Sequence, residues 1–314
     1  MDVFSQPKRQ GITLIESIVA LAIIGLLASI IMPAVQSSRV TARRFQCSSH
    51  LKQITLGVMN YESVHGVIPI YYGRRYGAYY ELSGFFFSLF PFMGIENSRA
   101  ARRIPLLTCP ADSQVVAAPS GLSYVVNSGP TMMEGQWRKL NGIVRWPASA
   151  YGESDSVSFS DISDGLSSTA CLSESLIAYV NPSAATDANP ALRYSWQVIV
   201  PIAIPPGIAT FEDYIRRCEG GPRDFYPGRL GGAHDWITDD GGPHILYSHA
   251  MQPNTPRCES AVGGIGYPIW PAMSAHPSGV NLSLMDGSCR FVNETIDRNV
   301  WRAMGTRDGG DRAE

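Results

Sequence analysis

ITLIESIVALAIIGLLASIIMP, residues 12–33, carries one ionisable side chain, Glu16, in 22 positions. As a helix it reaches about 33 Å, enough for a hydrocarbon layer of about 30 Å. A cleaved secretory signal has an apolar core of only about 7–15 residues, and the first cysteine is Cys47, which excludes a lipoprotein signal. Ahead of it lies the short polar segment MDVFSQPKRQG, with Lys8 and Arg9 just before Gly11. A carboxylate inside a bilayer costs about 2.5–3.5 kcal/mol, so Glu16 calls for a partner. If the chain were cut after Gly11, Ile12 would carry a new ammonium. Glu16 would then stand one helical turn from that amine, or would meet the amine of a neighbouring copy. The positive end of the helix dipole suits it as well.

The pattern resembles the class III signal of type IV prepilins and type II secretion pseudopilins. Lys8 and Arg9, Gly11 before the cut, Glu16 fifth after it and Pro33 twenty-second after it carry the match. The resemblance implies cleavage after Gly11 and methylation of the Ile12 amine by a prepilin peptidase. Ile12 departs from the usual Phe. Lys8 and Arg9 favour a cytoplasmic amino terminus, whereas Arg39, Arg43 and Arg44 follow the span on its other side. The resemblance therefore decides the orientation: a single pass in the inner (cytoplasmic) membrane with the head outside the cytoplasm, or at the cell surface within a filament.

Beyond Pro33 the helical pattern persists. Cys47, Leu51, Ile54, Val58 and Tyr61 recur at steps of four and three and form one apolar stripe. We expect a leader at 1–11, a membrane helix at 12–33, an amphipathic stalk at 34–61 and a globular head at 62–314, the helix ending at Gly66 and Pro69. The whole chain, 34.2 kDa, has 17% charged residues, 45% apolar residues and a net charge of −2. That balance excludes a basic nucleic-acid binder and a charged disordered tail.

From residue 62 short apolar runs alternate with Gly, Pro, Asn and Ser. FFFSLFPF (85–92) reads as a buried strand or short helix. SYVVNSG (123–129), SVSFSDISD (156–164) and STACLSES (168–175) read as strands. In VNLSLMDGSCRFV (280–292), Asp286-Gly287 signals a two-residue type I′ hairpin, pairing Leu284 with Cys289, Ser283 with Arg290 and Leu282 with Phe291. The expected fold class is α+β, a long helix packed on an antiparallel β-rich head.

Six cysteines without a CxxC pair argue against a zinc ribbon or a thioredoxin site. Outside the cytoplasm disulfides are permitted. Cys47 on the stripe with Cys109 in TCPAD would staple stalk to head, and Cys218 with Cys258 would close a Gly-rich loop. Cys289 either stays a thiol or pairs with Cys171. Six cysteines allow fifteen connectivities, so these pairings are hypotheses.

His276, nine residues, then Asp286-Gly287 is the most distinctive carboxy-terminal pattern. A hairpin puts His276 and Asp286 at opposite ends, about 17–20 Å apart, which argues against a shared catalytic atom. Asp161, Asp164 and Glu174 offer oxygen ligands for calcium, but too few, and the EF-hand pattern is missing. His234, Asp235, Asp239, Asp240, His244 and His249 gather in a Gly-rich stretch that reads as a solvated loop, a metal site being the alternative. No GxSxG, HExxH or phosphate-binding Gly-Lys-Ser/Thr loop occurs. We therefore expect no enzyme, no cofactor, with calcium as the one alternative, and no catalytic or metal residue.

Taken together, GITLIES, PAVQSSR, RRFQCSSHLKQITLGVMNYESVHGVIP, LTCPAD, SDGLSSTACLSES, HAMQPNTPRC, HPSGVNLSLMDGSCRFVNETID and WRAMGTRDGGD resemble a prepilin-like family of unknown function abundant in planctomycetes. The expected function is a pilin- or pseudopilin-like structural subunit. Its partners would be prepilin peptidase, other pilin-like subunits and the bilayer, with no nucleic acid. The alternative is a single-pass anchored binding protein for glycans or other ligands that does not polymerise. YYGRRYGAYY (71–80) would then offer aromatic surface for sugar stacking.

Overall fold

The computed structural model describes residues 13–69, 72–76, 79–96, 103–112, 121–130, 141–144, 156–176, 197–200, 211–220, 223–224, 245–260 and 269–309. Two compact units divide the chain, Met1–Ala42 and Arg43–Glu314. Helix α1, Leu14–His65, runs unbroken through Pro33. It ends where Gly66 adopts φ +71° and returns its N–H to the Glu62 carbonyl.

In the first unit every Leu, Ile, Val and Met from Leu14 to Met32 is exposed. In the second, the stripe Cys47, Leu51, Ile54 and Val58 is fully buried, so α1 is part of the core there rather than a spacer. Tyr61, one step further, is only partly buried and stacks with His65 and Phe92 at ring distances of 4.2 and 5.4 Å.

The remaining elements, in order, begin with β1 (Tyr72–Tyr76), β2 (Tyr79–Ser83), α2 (Phe85–Leu89), β3 (Tyr124–Asn127), β4 (Ala170–Glu174), β5 (Gln197–Val200) and α3 (Phe211–Gly220). They continue with β6 (Arg223–Asp224), β7 (Leu246–Tyr247), β8 (Arg257–Ser260), β9 (Gly279–Leu284), β10 (Cys289–Asn293) and α4 (Arg298–Gly305). The principal sheet has the order β10-β9-β4-β3-β7. Its first four strands are antiparallel, and β7 adds in parallel to β3. A second sheet, β6-β5-β8, and the hairpin β1-β2 complete the strands. The fold is α+β, a long apolar helix with a mixed, mostly antiparallel head, as in pilin-like proteins.

The principal sheet separates two cores. On one face the α1 stripe meets Phe85, Leu89 and Phe90 of the α2 region with Tyr124 and Val126 of β3. On the other, Val280, Leu282, Leu284 and Val292 surround Trp301 of α4. Asp297 caps α4, its carboxylate accepting from the N–H groups of Asn299 and Val300.

Two local expectations are corrected. Residues 156–164 form no strand; Phe159–Asp161 is a 3-10 turn. Ser158 and Asp161 build a reciprocal capping box that outcompetes an extended ladder. The β9–β10 hairpin pairs Ser283 with Cys289 and Leu282 with Arg290, one residue off the expected register. Gly287 has φ +82°, but Asp286 has no positive φ, so a type I′ turn is excluded. Instead the Gly287 N–H bonds the Leu284 carbonyl and the Leu284 N–H bonds Ser288, a three-residue loop with a glycine bulge. The one-residue shift turns Cys289 toward the side of α1 and lets Val292 join the Trp301 core.

Candidate functional site

At the amino end, the Glu16 carboxylate accepts from both the N–H and the hydroxyl of Thr13, each at 2.8 Å, while Thr13 Oγ1 accepts from the Glu16 N–H. Thr13-x-x-Glu16 is thus a capping box at the start of α1, a signature that the sequence itself carries. Gly11 and Ile12 lie outside the described residues. By length and composition α1 is apolar enough to cross a membrane.

A second constellation is deep in the head. Cys47 on α1 and Cys109, just after the 3-10 turn Pro105–Leu107, form a disulfide. Glu174 ends β4, and His276 precedes β9 with its backbone N–H held by Ser274 Oγ. His276 Nε2 is 3.2 Å from Glu174 Oε1 and 3.6 Å from Cys109 Sγ, and Cys109 Sγ is 3.9 Å from Glu174 Oε1. Asn281 on β9 fixes the carboxylate, donating its backbone N–H to Oε2 and its side-chain amide to Oε1. All four side chains are buried, Glu174 being 1% exposed. Among the described residues this is the one grouping of three or more potential metal-ligating side chains. No spacing in the sequence announced it, because β4, β9 and α1 bring together distant segments.

The other candidates are dispersed. Asp286 does not face His276; its Oδ1 accepts from the backbone and hydroxyl of Ser288 in the turn at the far end of β9. Asp161 serves its capping box, and Asp164 accepts from the Thr306 hydroxyl and the Gly309 N–H. Glu174 sits with His276, so the three carboxylates have separate partners. His234, Asp235, Asp239, Asp240 and His244 lie outside the described residues. His249 is buried against Trp301, ring centroids 4.0 Å apart. Its Nδ1 meets the Trp301 carbonyl at 2.7 Å and must donate, so Nε2 accepts from the Tyr247 hydroxyl at 3.0 Å. Burial pushes its pKa down to about 3.

A second disulfide joins Cys218 of α3 to Cys258 of β8. Cys171 and Cys289 are thiols and do not pair. Cys171 is buried beside Thr55, and burial pushes its thiol pKa well up. The β1–β2 backbone of residues 72–76 and 79–83 is a hairpin, but its aromatic side chains lie outside the described residues.

A family model described as a protein of unknown function (DUF1559) matches residues 36–98 and 94–299, most of the chain. The chain belongs to the DUF1559 family. A model of the prokaryotic N-terminal methylation motif matches residues 6–32, covering Gly11, Ile12 and Glu16. This DUF1559 chain is therefore a prepilin-like subunit of the peptidase-processed kind, with an apolar N-terminal helix suited to a membrane anchor. No curated protein and no solved structure matches the chain.

Proposed function

We propose that this DUF1559 chain is a structural subunit of a pilus-like or secretion-related assembly, cut after Gly11 and methylated at Ile12. The carrying observation is the methylation motif over residues 6–32 joined to a helix whose apolar side chains from Leu14 to Met32 are all exposed. Such a surface is stable only in lipid or against copies of itself. The helix anchors the subunit in the inner membrane with the head extracytoplasmic, and apolar packing between helices joins subunits. Glu16 sets their register, exchanging its local Thr13 partners for the Ile12 amine of a neighbour, since a carboxylate in an apolar bundle requires a cation.

No catalytic role enters this reading. His276 and Asp286 occupy opposite ends of β9, and Asp286 is consumed by its turn. The test is the mass of the amino terminus from native membranes together with cross-linking of Glu16→Ala. An N-methylated Ile12, with the variant inserting normally but failing to cross-link to its own copies, supports the assembly. An uncut Met1, or unchanged cross-linking in the variant, refutes it.

A further inference from the structure

We infer that Cys47, Cys109, Glu174 and His276 form a site for a divalent transition metal, zinc by preference, when the Cys47–Cys109 disulfide is reduced. The ligand atoms of the four side chains all lie within 4.8 Å of one another, and all four side chains are buried. In a tetrahedral zinc site with bonds of about 2.0–2.3 Å, ligand atoms sit about 3.2–3.8 Å apart. Of the five edges that do not join the two sulfurs, three are close to this: 3.2 Å from His276 Nε2 to Glu174 Oε1, 3.6 Å from Nε2 to Cys109 Sγ, and 3.9 Å from Cys109 Sγ to Glu174 Oε1, while the two from Cys47 Sγ are within 4.8 Å. On reduction the two sulfurs must part to about 3.7 Å, with the other ligand atoms already within 4.8 Å of one another.

The surroundings are those of a supported ligand set. Asn281 holds both carboxylate oxygens of Glu174, the outer-shell role that orients a ligating carboxylate. His276 is fixed at its backbone by Ser274 and points Nε2 at the cluster. Two thiolates, an imidazole and a carboxylate suit zinc, and exclude calcium or magnesium, which take oxygen donors.

The chemistry balances with a dithiol reductant. Two electrons and two protons pass from the dithiol to the Cys47 and Cys109 sulfurs, breaking their bond, and the reductant closes its own disulfide. Metal binding then releases the two thiol protons to solvent, and the Nε2 proton of His276 gives way to one on Nδ1. The head thereby has two mutually exclusive ties between α1 and the loop at Cys109, one covalent and one through a cation. This inference stands apart from subunit assembly and survives if that reading fails.

The test uses the full chain in detergent, reduced with a dithiol that is removed anaerobically before cobalt or zinc is added. One metal per chain, with thiolate-to-cobalt charge transfer and tetrahedral cobalt bands, is expected only after reduction. Zinc should shield Cys47 and Cys109, but not Cys289, from alkylation. His276→Ala and Asn281→Ala should each weaken binding by about 10–100-fold, with circular dichroism checking their folding. Equal metal uptake by the oxidised chain, binding that survives Cys47→Ser, or full alkylation of Cys47 and Cys109 in excess zinc would overturn it. So would a reduced chain that unfolds and does not refold on adding zinc.

Discussion

Thr55 of α1 donates its hydroxyl hydrogen to Ser283 of β9 at 2.7 Å, across 228 residues of sequence and wholly inside the head. Ser283 Oγ also accepts the Leu172 N–H at 3.2 Å, so one side chain joins helix, β9 and β4. Thr55→Val keeps the volume and removes the donor. We expect a loss of about 1–3 kcal/mol, because the buried Ser283 hydroxyl loses one of its bonds and keeps only those to Leu172. Urea unfolding of Thr55→Val, Ser283→Ala and the double variant checks this; the double should cost less than the sum of the singles.

Gly287→Ala tests the corrected hairpin. Its φ of +82° strains any side chain, and a new Cβ would lie 3.3 Å from Met59 Sδ. The expected cost is about 1–2 kcal/mol. Asp286→Gly should cost more than it would in a type I′ turn, since no strained φ is relieved there and the two bonds from Ser288 are lost. Thermal melting compares the two.

His249 makes the head acid-sensitive. Its folded pKa is about 3 against an ordinary 6.5, because burial disfavours the cation. The unfolded chain therefore takes up a proton through that window while the folded chain does not. Its contribution is complete above pH 6.5 and falls as the pH drops toward 3, by at most about 1.4 kcal/mol per pH unit. His249→Asn should lower stability at neutral pH yet flatten the slope between about pH 6 and 4, where only the unfolded chain's ring takes up the proton. A parallel slope in both proteins would contradict this assignment.

Removing the covalent tie by Cys47→Ser with Cys109→Ser should cost about 2–5 kcal/mol, because the bond closes a long loop of the unfolded chain. Melting in the presence of a chelator, so that metal cannot substitute, gives the comparison with the oxidised parent.

The apolar window at 12–33 and the stripe from Cys47 to Val58 were readable because a helix repeats every 3.6 residues and each run is long. So were strands at Tyr124–Asn127 and Ala170–Glu174, and the existence of the β9–β10 hairpin. Its register was not, since Asp-Gly serves both a two-residue turn and a glycine bulge, and only packing around Trp301 chooses. Ser158 and Asp161 cap a 3-10 turn where the pattern suggests a strand, because side-chain capping is a local competitor that periodicity does not see. The pairing of Glu174 with His276 left no trace in spacing; it exists only once β9 lies beside β4.

The buried half of α1 has a bearing on synthesis. The stripe Cys47, Leu51, Ile54 and Val58 leaves the ribosome early, but β9 and α4, which complete the sheet and its second core, come near the end of the chain. Throughout that interval an apolar helix face has no finished surface to cover it, and closure demands long-range contacts that form slowly. An escort for the nascent chain would meet that need. A chain truncated before Trp301 would be expected to aggregate rather than yield a smaller head.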